Sequence, residues 1–411
     1  MLHAVYFTKS REDKTWSVSY DNRYVQSDTF RVERDRQRPC FLSVAKGDPL
    51  AMIVACIMNM LRFGKASRNV SNTSVFEHAG RVFTATENDH PHEINLDNLG
   101  TLRRWDVGGQ WNMPFTAHPK VDPGSGELII CGFNIVKPFL TVGVVSEDGK
   151  KLKQKVDLKL DRCAFCHEIG ITKMYNIIMD IPLTVKLGRI LRGEPLIDFE
   201  AESYARIGVM PRYGDADSVI WFDVKPFCTL HLVNCFEEDD EVIVRGFQVP
   251  ASIIMGSILE YKSDEEPACQ GLNDEFFSRM YEWRLNLKSR AVTEKYLTGT
   301  DVALEFPVIN DKYVGLHHKY AYAQMGDVQG SLAGGCGTVR PKFGGFAKLY
   351  LEEKNKSGGG LIKVEYHHLG RNQFCSGATF VPKVGGASED DGWIISFVYD
   401  EEMKTSQACF L

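Results

Sequence analysis

The chain is predicted to be all-β, and three patterns predict it. Runs of four to six residues rich in β-branched and aromatic side chains recur along its length, Gly, Pro, Asn or Asp bounds them, and helical periodicity is confined to two stretches. After an opening strand at 1–7, the runs fall at 81–86, 128–133, 140–145, 177–180, 219–222, 241–244, 346–350 and 393–398. Several end in tight turns, such as Asp122-Pro123-Gly124-Ser125-Gly126 and Glu147-Asp148-Gly149, which connect hairpins rather than β–α crossovers.

The two helical stretches read as insertions between repeated sheets. Residues 49–62 open on Pro49 and carry the apolar run 51–58, too short for a membrane span of roughly 20 residues. That segment is expected to be either a buried helix or one lying in a membrane surface. Residues 273–288 place Phe276, Phe277, Met280, Tyr281 and Trp283 on a mostly apolar face and are expected to be the second helix. Gly334-Gly335-Cys336-Gly337 lacks the strand and helix context of a phosphate loop, and Gly358-Gly359-Gly360 reads as an exposed loop.

With 411 residues, 44% apolar and 25% charged, the chain can bury a sizeable core, and residues 1–411 are expected to form one domain. A net charge of −6 gives no basic footprint for nucleic acid. Eleven cysteines without a regular framework point to reduced thiols in the cytosol or an organelle stroma. Cys163-Ala164-Phe165-Cys166-His167 satisfies the pattern for covalent haem attachment, but a β-rich chain with no export signal is the wrong setting for it.

Three histidines stand out from the eleven, because His118, His167 and His231 each sit at the edge of a strand-like stretch, 49 and 64 residues apart. Such intervals match successive repeats of a ring whose ligands converge on an axis, not the i, i+4 spacing of a helical metal motif. The segments 115–123, 166–172 and 228–234 resemble three of the four iron-ligand segments of the carotenoid cleavage oxygenases. Gly132-Phe133-Asn134, Met179-Asp180-Ile181-Pro182-Leu183, Glu305-Phe306-Pro307 and the stretch from Glu389 to Asp400 fit the same family in order. The resemblance covers essentially the whole chain and is strongest to plant-type members.

That resemblance implies a seven-bladed β-propeller capped by helices and loops, incomplete at both termini. It implies Fe(II) held by histidine nitrogens alone, with O2 as co-substrate and a carotenoid or apocarotenoid cut at the 9,10 bond or a nearby one. It also implies that Glu87 orients His167 and Glu305 orients His231, and that substrate is collected through peripheral membrane contact near 51–61. Plant relatives occur in plastids and in the cytosol, so a plastid stromal location is expected, with the cytoplasm as the alternative.

The family's fourth iron histidine lies in a Gly-x-His-Gly element beyond Leu411, and Gly377 stands where its partner glutamate would be. His367 and His368 precede Leu369-Gly370, at a position outside the iron site. Missing terminal strands are expected to make this chain less stable than a longer relative. A catalytically silent propeller that binds an apolar ligand or a protein partner is the alternative to the oxygenase.

Overall fold

The computed structural model describes residues 1–12, 14–44, 48–249, 278–327, 330–331, 341–355 and 360–411. They divide into two compact units, the first made of Met1–Val121, Gly126–Cys163 and Val185–Leu196, the second of Asp122–Ser125, Ala164–Thr184 and Ile197–Leu411. The expected loops at 334–337 and 358–359 lie outside the described residues.

The first unit opens on a hairpin of β1 (Leu2–Lys9) and β2 (Trp16–Arg23), followed by helices α1 (Asp28–Asp35) and α2 (Pro49–Phe63). Helix α2 is bounded by its sequence. The Asp48 carboxylate accepts the N–H groups of Leu50 and Ala51, Pro49 needs no such partner, and Gly64 closes the helix at a φ of 68°. Two four-stranded antiparallel sheets follow, β3 (Ser74–His78) to β6 (Thr101–Arg104) through β4 (Arg81–Ala85) and β5 (His92–Ile94), then β7 (Lys120–Val121) to β10 (Leu152–Asp157) through β8 (Leu128–Phe133) and β9 (Leu140–Val145). Their core is Phe83, Trp105, Trp111, Phe115, Leu128, Ile130 and Val145. Trp111 packs so closely on β9 that a Cβ on Gly143 would meet its ring at 2.8 Å.

In the second unit a sheet runs β11 (Gly170–Ile171) and β12 (Tyr175–Asp180), then, past the short pair β13 (Leu183–Val185) and β14 (Ile197–Phe199), β15 (Ala205–Pro211) and β16 (Ile220–Val224). The next is β17 (Leu232–Glu238), β18 (Glu241–Gln248), β19 (Arg279–Asn286) and β20 (Val292–Tyr296). A seven-stranded sheet takes the rest: β21 (Leu304–Val308), β22 (Tyr320–Gly326), β23 (Phe343–Lys354), β24 (Ile362–His368), β25 (Gln373–Pro382), β26 (Gly392–Asp400) and β27 (Thr405–Phe410). Its two meanders meet at one residue pair, Phe343 with Cys375. Four-stranded antiparallel meanders are the unit from which propellers are built.

The helix expected at 273–288 is corrected by this architecture. Residues 279–286 are strand β19, paired with β18 on one side and β20 on the other, while 273–277 lie outside the described residues. A central strand covered on both faces need not alternate: Met280, Tyr281, Glu282 and Trp283 are all buried in succession. Their run therefore imitates a helical face, and Glu282 is tolerated there because Arg245 donates to it at 2.8 Å.

Candidate metal centre

Each of the three expected ligands stands just ahead of the first strand of a sheet. His118 precedes β7 by two residues, His167 precedes β11 by three, and His231 is the residue before β17. A strand entry is a useful place for a ligand, because the ladder fixes the backbone on one side.

His118 is half-buried, and its N–H donates to Thr116 Oγ1 at 3.2 Å. His167 is half-buried and His231 is buried. His118 belongs to the first unit, and His167 and His231 belong to the second. The Nε2 atoms of His167 and His231 are 3.3 Å apart, with the ring planes at 78°. An ion about 2.1 Å from two adjacent nitrogens would hold them roughly 3.0–3.4 Å apart, so this pair fits a ligand set. The same separation also suits an N–H···N hydrogen bond between the two rings.

Glu305, on β21, places its Oε2 2.6 Å from His231 Nδ1. A proton on Nδ1 satisfies that contact and would leave the Nε2 lone pair toward His167. The same oxygen accepts the N–H of Phe306 at 2.6 Å, and Phe306 adopts a φ of 53°. Glu305 Oε1 is buried without a hydrogen-bond partner among the described residues. The Phe306 ring lies 4.9 Å from the His231 ring and the side chain is 42% exposed. Glu87 is half-buried in the turn after β4.

Asn234, three residues past His231, pins the chain that follows β21. It donates to the carbonyls of Tyr313 and Leu316 at 2.8 and 2.9 Å and accepts the N–H of Gly315 at 3.0 Å. His367 and His368 are exposed on β24. Cys163 and Cys166 are buried, and burial raises the Cys163 thiol to about 11, so it is not a ready thiolate ligand. Gly377 is the extra residue of a bulge in β25, between Ser376 and Ala378, at a φ of 53°.

Two contributors were missed in the sequence. Glu168 is buried beside His167, and its sequence signal is an acid next to that histidine and ahead of the apolar Ile169-Gly170-Ile171. The Glu305-Phe306-Pro307 motif carries no signal that the Phe306 ring packs against an imidazole.

The retinal pigment epithelial membrane protein (RPE65) family model matches residues 1–411. The chain belongs to this family, the carotenoid cleavage oxygenases. It is similar to carotenoid 9,10(9',10')-cleavage dioxygenase 1 of Pisum sativum, 30% identical over 409 residues that cover 94% of this chain and 71% of that protein. It is also similar to the chloroplastic 9-cis-epoxycarotenoid dioxygenase NCED1 of Oryza sativa, 28% identical over 92% of this chain and 58% of the relative. Among solved structures, the lignostilbene dioxygenase of Pseudomonas brassicacearum aligns with a TM-score of 0.77 at 25% identity, over 96% of this chain and 78% of that one. Cobalt-substituted Synechocystis ACO gives 0.74 at 20% identity, over 96% and 78% of the two chains. The all-β meanders of this carotenoid cleavage oxygenase family member are thus those of a β-propeller.

Proposed function

We propose that the chain cleaves a conjugated carbon–carbon double bond of a carotenoid or apocarotenoid, using O2 and giving aldehyde or ketone products, with Fe(II) held by His118, His167 and His231. The observation that carries this reading is the pair of imidazole nitrogens of His167 and His231, 3.3 Å apart, in a chain of this family. Neutral imidazole suits iron, and a ligand set without thiolate or carboxylate fits the donors present. When bound, the iron would supply the electron-transfer chemistry with O2 that side chains lack.

The protein's own part is to bind and to aim. Glu305 keeps the His231 proton on Nδ1, so that Nε2 is the donor atom, and we assign Glu87 the corresponding role toward His167. The half-exposed Phe306 ring offers a polyene an apolar face beside His231. The exposed apolar face of α2 would collect such a substrate from a membrane surface. Similarity to relatives named for 9,10(9',10') cleavage favours that bond or a neighbouring one, and chloroplastic relatives favour the plastid stroma over the cytosol.

Aerobic incubation of the iron-loaded chain with a C40 carotenoid and with a C27 apocarotenal tests the reading. Loss of polyene absorbance with the appearance of shorter carbonyl products is expected. Unchanged absorbance with both, from folded protein that retains its iron, would sink the oxygenase and leave the ligand-binding propeller.

A further inference from the structure

We propose that Glu168 is a positioning residue that locks the His167 and His231 segments into one register, an inference that rests on reading those two histidines as ligands. Glu168 follows His167 directly and is 6% exposed. Its Oε2 accepts the backbone N–H of Leu232 at 2.6 Å, and Leu232 follows His231 directly. One charged hydrogen bond therefore ties the chain at one histidine to the chain at the other, across 64 positions of sequence.

The strand geometry explains why that bond is needed. β17 is the edge strand of its sheet, with β18 as its ladder partner. The His231 carbonyl faces β18, where it accepts the N–H of Phe247 at 3.1 Å. Alternation along the strand turns the next N–H, that of Leu232, to the edge β18 does not serve. Leu232 is 3% exposed, and a buried N–H left without an acceptor is costly. The ladder is also irregular here, with a register shift between Leu232 and Asn234. A carboxylate answers this position with a stronger bond than a neutral acceptor would.

The contacts of His231 include its carbonyl with the Phe247 amide and the Thr229 hydroxyl, its Nδ1 with Glu305, and its following N–H with Glu168. Of these, the contact with Glu168 refers it to His167, whose Nε2 lies 3.3 Å from its own. The Glu168 carboxylate is engaged with the Leu232 amide. Its effect on an ion would come through the spacing of the two nitrogens.

The test is a Co(II) titration of the full chain and its variants, read by affinity and by the d–d spectrum, with hydrogen exchange of the metal-free proteins in parallel. Glu168→Ala is expected to weaken Co(II) binding about 10–100-fold, to shift the spectrum and to speed exchange at the Leu232 amide while leaving Cys235 and Phe236 protected. Glu168→Gln keeps an amide oxygen at the same reach and is expected to stay close to the parent in both readouts. Affinity and spectrum unchanged in Glu168→Ala overturn the proposal. Should Glu168→Ala not fold, Glu168→Asp takes its place: its carboxylate is one methylene short, and tighter Co(II) binding by Asp than by Gln overturns the proposal as well. A parent chain that binds no Co(II) defeats the metal reading instead, and the exchange rate at Leu232 then decides the role of Glu168 alone.

Discussion

At the scale of single residues, Glu305 uses one oxygen for two purposes. Oε2 takes the His231 proton and the Phe306 amide proton together, so the imidazole and the aromatic ring beside it are set by the same atom. Glu305→Gln can satisfy both only through its amide oxygen and loses the charge that holds the Nδ1 proton. Iron affinity is expected to fall about 10–100-fold, measured as iron retained against a graded chelator series, and parent-like retention would count against the assignment. The histidines and Glu305 were legible in the sequence because each is a polar side chain in an apolar setting with a motif around it. Glu168 was not, because its partner is a backbone amide far along the chain, and no side-chain pattern records that. Gly377 was legible only as a missing carboxylate. Its backbone is left-handed, its carbonyl accepts the Ser396 hydroxyl at 2.8 Å, and a side chain there would sit in a conformation costing on the order of 1 kcal/mol or more.

At the scale of elements, the two expected helices had opposite outcomes for one reason. Helix α2 carries its own start and stop, Asp48-Pro49 and Gly64, so local chemistry suffices. The stretch at 279–286 carries neither, and its apolar run is explained by neighbours on both sides that only the tertiary structure supplies. Helix α2 docks through Ala55 and Asn59, whose amide bonds the backbone of Leu42 in both directions, at 2.9 Å each way. Its other face exposes Leu50, Val54, Ile57, Met58 and Leu61, at helical spacings of four, three, one and three. No helix among the described residues is long and apolar enough to cross a membrane. Ile57→Asp with Leu61→Asp is expected to abolish co-flotation with liposomes without moving the melting temperature, because both side chains point to water. Equal flotation of variant and parent would rule out α2 as the contact.

At the scale of the whole molecule, strand content was readable but strand pairing was not. The runs at 177–180 and 219–222 look like neighbours, yet β12 pairs with β15, and β13 and β14 are spliced between them. Burial also gives the protein an acid limit. His78, His90, His92 and His318 are all held below the ordinary value of 6.5 by burial, His318 as far as about 3. As pH falls below 6.5 the unfolded chain takes up protons that the folded chain refuses, so stability is full above that pH and declines through the range down to about 3. His318 alone should cost on the order of 2 kcal/mol at pH 5. Urea unfolding at pH 7 and pH 5 measures it, and a flat profile between them would contradict the assignment.

The placement of the histidines at strand entries also bears on the order of folding. His167 and His231 are separated by an entire four-stranded sheet, so neither can find the other until the chain between them has closed. His118, His167 and His231 come from three separate segments, so no one segment offers an ion two of them early, and metal bound there would not nucleate this fold as it does a zinc finger. It would arrive as a late passenger that locks a finished topology, so removing it should speed unfolding while leaving the refolding rate unchanged.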